Sequence, residues 1–147
     1  MLAEFRRFSD VNLYALLDVY SQSVDQKNWS EVNVFLEDLQ LFFSNKNVHV
    51  MQWIEEGNVV AAMRLEPYRD GFLITCLETH PHHRRKGYAY QLLESVLSKY
   101  PGIYYSHVDK RNKPSLQLHR KVGFKSFLDY AIHVDGSVYS GSVTLKK

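Results

Sequence analysis

Residues 80 to 93, HPHHRRKGYAYQLL, place three cations and three histidines just before the predicted start of a helix. Arg84, Arg85 and Lys86 directly precede Gly87 in this stretch. Cations are unfavourable at a helix N-terminus, because the aligned peptide dipoles already make that end positive. Free N–H groups of a first helical turn, combined with such cations, form a site for a phosphate or pyrophosphate. The pattern therefore predicts an anion-binding turn, and a solvated basic turn is the alternative.

Two other kinds of site fit this turn less well. The turn contains neither the GxxxxGK of a P-loop nor the complete GxGxxG of a dinucleotide-binding fold. His80, His82 and His83 alternate around Pro81 with no further spaced ligand set, so we interpret them as surface residues and expect no metal. We expect Gly87 to let the backbone approach the anion where a Cβ atom would obstruct it.

Length and composition limit the class of protein. The 147 residues suit a single domain, 1–147, and fractions of 45% hydrophobic and 23% charged residues are typical of soluble globular proteins. A net charge of +2 is too small to suggest a nucleic-acid partner. The single cysteine, Cys76, fits a reducing compartment and is expected to be a small buried residue. Without a signal-peptide pattern or a membrane-length apolar run, we expect a cytoplasmic protein with no membrane partner.

Hydrophobic periodicity predicts an α/β protein with one mixed sheet. We expect six to seven mostly antiparallel strands, one central parallel crossover and about four helices on both faces of the sheet. The predicted helices cover residues 9–20, capped by Ser9 and Asp10, 28–43, capped by Ser30, 88–100 and 113–122. The predicted strands cover residues 48–54, 59–65, 72–80 and 102–108, followed by a last hairpin of 124–134 and 138–145 around Asp135-Gly136.

The basic turn occupies a special position in this arrangement. It follows the strand FLITCLETH, whose near-continuous apolar run predicts a central strand covered on both faces. A strand, helix and strand over residues 72 to 108 supply the parallel crossover. Open sheets of this type bind ligands beyond the C-terminal ends of their strands. The anion is therefore expected at that edge of the sheet.

Two segments resemble motifs of the GNAT superfamily of acyl-CoA-dependent N-acetyltransferases. RRKGYA, residues 84–89, fits the family's motif (Q/R)-x-x-G-x-(G/A). NKPSLQLHRKVGF, residues 112–124, resembles N-x-x-(A/S)-x-x-L-Y-x-K-x-G-F, in which Asn112, Ser115, Leu118, Lys121, Gly123 and Phe124 match. The order of elements is also similar, so the resemblance covers nearly the whole chain.

The resemblance implies that the anion is the pyrophosphate of acetyl-CoA or a related acyl-CoA. Backbone amides of Arg85, Lys86, Gly87, Tyr88 and Ala89 would hold it, and Arg84 would orient the loop. The pantetheine arm would run beside Leu77 and Thr79 like an added strand, where the strand splays from its neighbour. Asn112, in a motif that also contains Ser115, would hydrogen-bond near the pantetheine and cysteamine.

The implied reaction is direct attack of a neutral amine on the thioester. A lysine-like amine has a pKa of roughly 10.4, so its deprotonation is costly, whereas a thiolate leaving group has a pKa of about 8.5. Glu78, in the apolar run at the strand end, is our first candidate for the base, because burial raises a carboxyl pKa. His107 on the next strand is the rival, and a purely structural role is the alternative for both.

The sequence offers several candidates for the proton donor to the leaving thiolate. Many family members use the tyrosine of the Leu-Tyr pair, and here that position is His119. An imidazole can donate a proton, so His119 is our candidate, with a packing role as its alternative. Tyr105, Tyr130 and Tyr139 are possible substitutes.

The acceptor and the partners are left open by the residues. The loop from residue 21 to residue 31 is where the family shapes its acceptor site, and Asp25 and Glu31 there suit a cationic amine. The family often forms homodimers. A non-catalytic acyl-CoA sensor of the same fold is the main alternative, and a nucleic-acid-binding module is the second.

Overall fold

The computed structural model describes residues 1–147 and is built around a mixed sheet of seven strands. The strands lie in the order β1-β2-β3-β4-β5-β9-β6, and only β4 and β5 are parallel neighbours. Their bounds are β1 Leu2–Phe5, β2 His49–Glu55, β3 Asn58–Tyr68, β4 Gly71–Thr79, β5 Tyr104–Asp109, β6 Lys125–Leu128 and β9 Ser142–Lys146. Two short strands, β7 Ala131–Ile132 and β8 Val138–Tyr139, pair separately. The predicted mixed sheet with one parallel crossover is confirmed.

Four helices cover the two faces of this sheet. They are α1 Leu13–Val19, α2 Trp29–Phe43, α3 Tyr88–Lys99 and α4 Lys113–Val122. Alternate residues of β3 point to opposite faces: Met63 packs into a core with α3 and α4, and Ala62 packs into a core with α1 and α2. The sheet therefore separates two hydrophobic cores. None of the helices combines the length and apolar character needed to cross a membrane.

The helix caps differ from those predicted for the first two helices. Asn12 caps α1 by accepting a hydrogen bond from the N–H of Ala15, and Asn28 caps α2 by accepting from Ser30 and Glu31. Ser9 and Asp10 instead belong to a 3-10 helix, Phe8–Asp10, and Ser30 lies inside α2. Each asparagine has extended backbone angles that aim its side chain at the free N–H groups of the first turn. The predicted caps were therefore wrong: Asp10 lies two residues before the cap Asn12, and Ser30 lies two residues after the cap Asn28.

The two ends of the chain contain the strands that the sequence did not show correctly. β1 was not predicted, and it pairs with β2 at the sheet edge. The last hairpin has the predicted turn, in which Asp135 accepts from the N–H of Ser137. It is interrupted, however, because β6 pairs with β9 in the main sheet while β7 pairs with β8 outside it. A single continuous hairpin over these residues was therefore wrong.

The strand that precedes the basic turn is central but only partly covered. β4 is the fourth of seven strands, as predicted, and its first half buries Leu73 and Ile74. Beyond Ile74 the strand carries no fully buried residue, and Cys76 is exposed. The expectation of a buried Cys76 was wrong, because the strand separates there from its neighbour. That separation forms the candidate site.

Candidate active site

A cleft opens where the parallel strands β4 and β5 diverge. Their pairing runs from Phe72 opposite Tyr104 to Ile74 opposite Ser106, and it ends there. The cleft contains a cavity of about 120 Å³ between β4, β5 and the start of α4. Its lining consists of Ile74, Thr75, Cys76, Leu77, Ser106, His107, Val108, Asp109, Asn112, Ser115 and His119. Because β4 has no strand partner on this side after Ile74, its peptide groups there can pair with an extended ligand.

A β-bulge in β4 produces this divergence. The register against β3 shifts between Ala62, opposite Glu78, and Arg64, opposite Thr75, so β4 has one extra residue. Cys76 lies within the bulge with a φ of 56°, in the left-handed region that non-glycine residues rarely adopt. The hydroxyl of buried Tyr20 donates a hydrogen bond to the Cys76 carbonyl over 2.6 Å. A side chain of the α1–α2 core therefore fixes the backbone at the point where the cleft opens.

The basic turn lies at the mouth of this cleft with its backbone N–H groups free. A 3-10 helix, Pro81–His83, follows β4, and the His80 side chain accepts from the N–H of His82. Arg85 has a φ of 63°, and Gly87 has a φ of 78° as the residue before α3. No N–H group from Arg84 to Ala89 donates a hydrogen bond within the protein. These groups, together with the positive end of α3, are suited to holding an anion.

Backbone conformation gives Gly87 a reason to be glycine in addition to the expected close approach of an anion. A Cβ atom at Gly87 would meet no protein atom within 4 Å, so nothing in the chain itself crowds the position. The positive φ is what favours glycine there. It turns the loop so that it enters α3 directly.

Arg84 and Glu78 connect the basic turn to the end of β4. The guanidinium Nη2 of Arg84 lies 3.1 Å from Oε1 of Glu78. Burial raises the pKa of Glu78, and the positive charge of Arg84 partly opposes that increase. Leu77 packs towards the α3–α4 core, so Glu78 points to the opposite face, outside the lining of the cavity. The carboxylate therefore lies beside the cleft, on the face covered by α1 and α2.

His107 is a neutral imidazole in the wall of the cavity. Its ring packs edge-on against Tyr68 and His133, and its buried Nε2 atom has no hydrogen-bond partner. Burial, with a smaller contribution from the charge of His133, lowers the pKa of His107 to about 4. At neutral pH this residue therefore carries no charge and is a weak proton acceptor.

Both ring nitrogens of His119 are used inside the protein. Nδ1 lies 2.7 Å from the carbonyl oxygen of Ser115, which can only accept, so Nδ1 carries the proton. Nε2 lies 2.8 Å from the hydroxyl of Ser106 and therefore accepts from it. Burial lowers the pKa of His119, and the hydrogen bond to the Ser115 carbonyl opposes this. In this tautomer Nε2 can receive a proton but has none to give.

The remaining predicted residues lie on β4, at the start of α4, and in the basic turn with the first residues of α3. Leu77 and Thr79 lie on β4 beyond its pairing with β5, as expected for residues beside an extended ligand. Asn112 caps α4 through its side-chain oxygen, which accepts from the N–H of Ser115, so only its amide nitrogen remains free for a ligand. Arg85 and Lys86 are exposed, and Tyr88 and Ala89 begin α3.

The alternative tyrosine donors do not line the cavity. The Tyr105 hydroxyl donates to Asp70 at the opposite end of β5. Tyr130 and Tyr139 are largely exposed, near the β7–β8 pair. The loop from residue 21 to residue 31, which was expected to shape the acceptor site, forms a depression of about 310 Å³ lined only by polar residues, Asp25 and Glu31 among them.

Sequence reasoning did not identify two residues of the site. Ser106 is a polar residue within the apolar strand segment IYYSHV, and that interruption was the available signal. Tyr20 gave no comparable signal, because its hydroxyl meets Cys76 across 56 positions of the chain. Only the tertiary structure brings the two together.

Comparison with known proteins places this geometry in a family. The model of the acetyltransferase (GNAT) family matches residues 12–124. Similar solved structures include a ribosomal-protein-alanine N-acetyltransferase from Brucella melitensis, with a TM-score of 0.68, 22% identity and coverage of 100% of this chain and 98% of that chain. The PH1933 protein of Pyrococcus horikoshii has a TM-score of 0.70 at 15% identity, with the same coverage of 100% and 98%.

A third similar structure was solved with coenzyme A. It is the PaiA N-acetyltransferase of Thermoplasma acidophilum, with a TM-score of 0.64, 12% identity and coverage of 100% of this chain and 98% of that chain. At such identities the likeness shows the fold alone. No curated protein sequence matches the chain. Since the family model spans most of its residues, the chain belongs to the acetyltransferase (GNAT) family.

Proposed function

We propose that the protein is an N-acetyltransferase that transfers the acetyl group of acetyl-CoA to a primary amine by direct attack. The observation that carries this proposal is the position of the free N–H groups of residues 84–89 at the mouth of the cleft between β4 and β5. An anion site and an unpaired strand edge adjoin there. Together they suit a ligand with a pyrophosphate and an extended amide-containing arm, which is the form of coenzyme A.

The coenzyme would be held mainly by backbone groups. The N–H groups of Arg85, Lys86, Gly87, Tyr88 and Ala89 would bind the pyrophosphate, because none of them has a partner in the protein. The arm would extend along β4 beside Leu77 and Thr79. The free amide nitrogen of Asn112 and the hydroxyl of Ser115 line the same cavity and would hydrogen-bond to it. Acetyl-CoA supplies the activated acyl group as its thioester.

Glu78 is the residue that we assign as the base. Its raised pKa makes it a better proton acceptor than an ordinary carboxylate, and it points to the face where α1 and α2 shape the approach to the cleft. His107 is the alternative, although a pKa of about 4 makes it a weaker acceptor. The amine would lose its proton on that face and attack the thioester carbon from there.

Protonation of the thiolate makes smaller demands on the protein. A thiol pKa of about 8.5 makes the thiolate a stable leaving group near neutral pH. His119 would donate to it only after Nε2 has first received a proton. That restriction favours a second candidate function, a non-catalytic acyl-CoA sensor, in which the same cleft binds coenzyme without turnover.

Thermal unfolding with acetyl-CoA, compared with ATP as a phosphate control, tests the coenzyme site. A ligand at 100 times its dissociation constant adds about 2.7 kcal/mol, which for a chain of this size raises Tm by roughly 5 to 10 °C. We expect that shift with acetyl-CoA and little with ATP. Thiol release across a panel of primary amines, measured above the rate without amine, then separates the enzyme from the sensor.

Gly87→Ala provides a matched test of the pyrophosphate loop. Gly57 in the β2–β3 turn has a φ of 81°, close to the 78° of Gly87, and both positions have open space for a Cβ atom. Gly57→Ala and Gly87→Ala should therefore cost a similar free energy of unfolding, about 1 kcal/mol. Only Gly87→Ala should also reduce the Tm shift with acetyl-CoA. Equal shifts in the two variants would remove the loop from the coenzyme site.

A further inference from the structure

Ser106 and His119 form a buried relay that the attack of the amine on the thioester does not use. The hydroxyl oxygen of Ser106 lies 2.8 Å from Nε2 of His119, and Nδ1 of His119 lies 2.7 Å from the Ser115 carbonyl oxygen. That carbonyl fixes the proton on Nδ1, so the imidazole presents its lone pair to the serine hydroxyl. The Ile74 carbonyl is 3.5 Å from the same hydroxyl, which makes it the poorer acceptor.

This arrangement has the three parts of an activated nucleophile. A hydroxyl contacts a neutral base, and a third group sets the tautomer and orientation of that base. Ser106 is 2% exposed and His119 is 1% exposed, so water hardly competes for either hydrogen bond. Both residues also line the cavity of about 120 Å³ at the floor of the cleft, where β4 and β5 separate. The hydroxyl therefore adjoins the cavity that an acyl group would have to enter.

We propose that Ser106 accepts the acyl group from an acyl-CoA and passes it to water, so that the protein is also a slow acyl-CoA thioesterase when no amine is bound. This proposal rests on the coenzyme site proposed above, since the acyl group must enter the same cleft. It assigns Ser106 as a catalytic nucleophile and His119 as its base. The amine transfer by direct attack does not require either step.

The reaction balances in two steps. In the first, the Ser106 oxygen forms a bond to the acyl carbon, the carbon–sulfur bond breaks, and the serine proton moves to Nε2 of His119 and then to the leaving thiolate. In the second, water adds to the acyl carbon of the serine ester with His119 taking one proton. The ester bond then breaks, His119 returns that proton to the Ser106 oxygen, and a carboxylic acid is released. No oxidant, reductant or metal takes part.

Thiol release from acetyl-CoA without any amine measures this activity. We expect the intact protein to release free coenzyme A thiol steadily, and Ser106→Ala to reduce the rate by at least about tenfold. His119→Gln should reduce it as well, because glutamine cannot act as a base. Ser98→Ala, a change at an exposed serine of α3, is the matched control and should leave the rate unchanged.

Mass spectrometry of the acid-quenched protein identifies the acylated residue. We expect one added acetyl group on the peptide that contains Ser106, stable to neutral hydroxylamine as an oxygen ester. Ser106→Cys should carry the group as a thioester that neutral hydroxylamine removes, and this variant keeps the size of the side chain in case Ser106→Ala folds poorly. An acetyl group on Cys76 or on a lysine instead would overturn the assignment.

The outcomes separate this proposal from the proposed function. Suppose that acetyl-CoA gives the expected Tm shift. If no thiol is then released without amine, or if the release survives Ser106→Ala, the thioesterase is overturned and the coenzyme site stands. Absence of the Tm shift overturns both. A shift accompanied by Ser106-dependent release supports both.

Discussion

At the scale of single residues, Glu78 is shaped by two opposing influences. Partial burial destabilises its charged form and raises its pKa, while Arg84 at 3.1 Å stabilises the charge. Without Arg84, the pKa of Glu78 would be higher still. Without burial, its pKa would be lower, and Glu78 would be a poorer base. The ion pair thus offsets part of the rise in the pKa of Glu78 that burial causes.

Glu78→Gln should lower the rate of acetyl transfer by roughly 10² to 10⁴-fold, the range typical of losing a general base. The control is Glu66→Gln, because Glu66 is also a half-buried carboxyl whose pKa is raised first by burial. The measurement is kcat/KM for an amine found in the panel, with the Tm shift by acetyl-CoA recorded in parallel. If both variants lose kcat/KM equally, or if Glu78→Gln keeps full activity, then Glu78 is not the base, and His107 or water takes that role.

His119 shows how one substitution changes the chemistry available at a position. A tyrosine at this point of the family motif has a hydroxyl that can reach a ligand directly. The imidazole of His119 is shorter, and its two nitrogens are bonded to Ser106 and Ser115. The residue can therefore act on a ligand only through Ser106 or after protonation. Its role as a proton donor stays a prediction.

At the scale of elements, the bulge in β4 is the feature on which the cleft depends. It inserts one residue opposite β3, bends β4 away from β5 and leaves a stretch of strand edge unpaired. The positive φ of Cys76 costs free energy, so surrounding contacts must hold it in place. The hydrogen bond from Tyr20 is one such contact, and it comes from the helical layer on the α1–α2 face.

Tyr20→Phe should therefore weaken the use of acetyl-CoA more than an equal loss of stability elsewhere in the fold would. Loss of the hydroxyl should lower the free energy of unfolding by about 1 kcal/mol, with part of that cost due to the carbonyl left unpaired. Because the carbonyl belongs to the bulge, KM for acetyl-CoA should also rise. Urea unfolding and steady-state kinetics measure the two effects.

Tyr104→Phe is the matched control for that change. Tyr104 is also buried and also donates its hydroxyl proton to a carbonyl, that of Tyr100, far from the bulge. It should lose comparable stability with no change in KM. A KM that responds equally to both substitutions would mean that general loosening, and not the bulge, controls coenzyme binding.

At the scale of the whole molecule, the sheet separates the side on which we propose that the coenzyme binds from the side on which we propose that the acceptor binds. The α3–α4 side holds the basic turn and the Ser106–His119 relay, while the α1–α2 side holds Glu78 and the polar depression near Asp25. His107 lies on β5 between them, within the wall of the cavity. Because its imidazole is partly buried, protonation of His107 affects the stability of the fold.

The protein should lose stability as pH falls from about 6.5 towards 4. His107 binds a proton in the unfolded chain near pH 6.5 but in the folded protein only near a pKa of about 4. Between these values the unfolded state binds more protons, so the free energy of unfolding decreases as pH falls, by at most about 3 kcal/mol from this residue. Above pH 6.5 the contribution is constant, and below 4 it changes no further.

Urea unfolding at a series of pH values measures this loss. His119 and His80, whose pKa values are also lowered, contribute in the same direction, so the comparison must be with a variant. His107→Gln should flatten the pH profile relative to the unchanged protein. A profile with the same slope after His107→Gln would show that the pKa of His107 is not lowered in the folded protein.

The sequence by itself determined the elements whose signals are local. Residues 113–122 form α4 with the predicted bounds, because Pro114 suits a first turn and Gly123 has the positive φ of a helix end. The basic turn was also readable, since its glycine, its cations and the following helical pattern are contiguous. The same holds for the Asp135-Gly136 turn. Propensity and periodicity act over a few residues, so a linear reading can detect them.

Only the tertiary structure decided the features that depend on distant partners. Four contacts join residues that are 13 to 56 positions apart: the pairing of β6 with β9, the pairing of β1 with β2, the hydrogen bond of Tyr20 to Cys76 and the Ser106–His119 contact. Cys76 was misjudged for the same reason, because an apolar run does not show where its strand separates from a neighbouring strand. Burial, tautomer and pKa depend on these contacts, so the chemistry of the site is set by packing that no local pattern encodes.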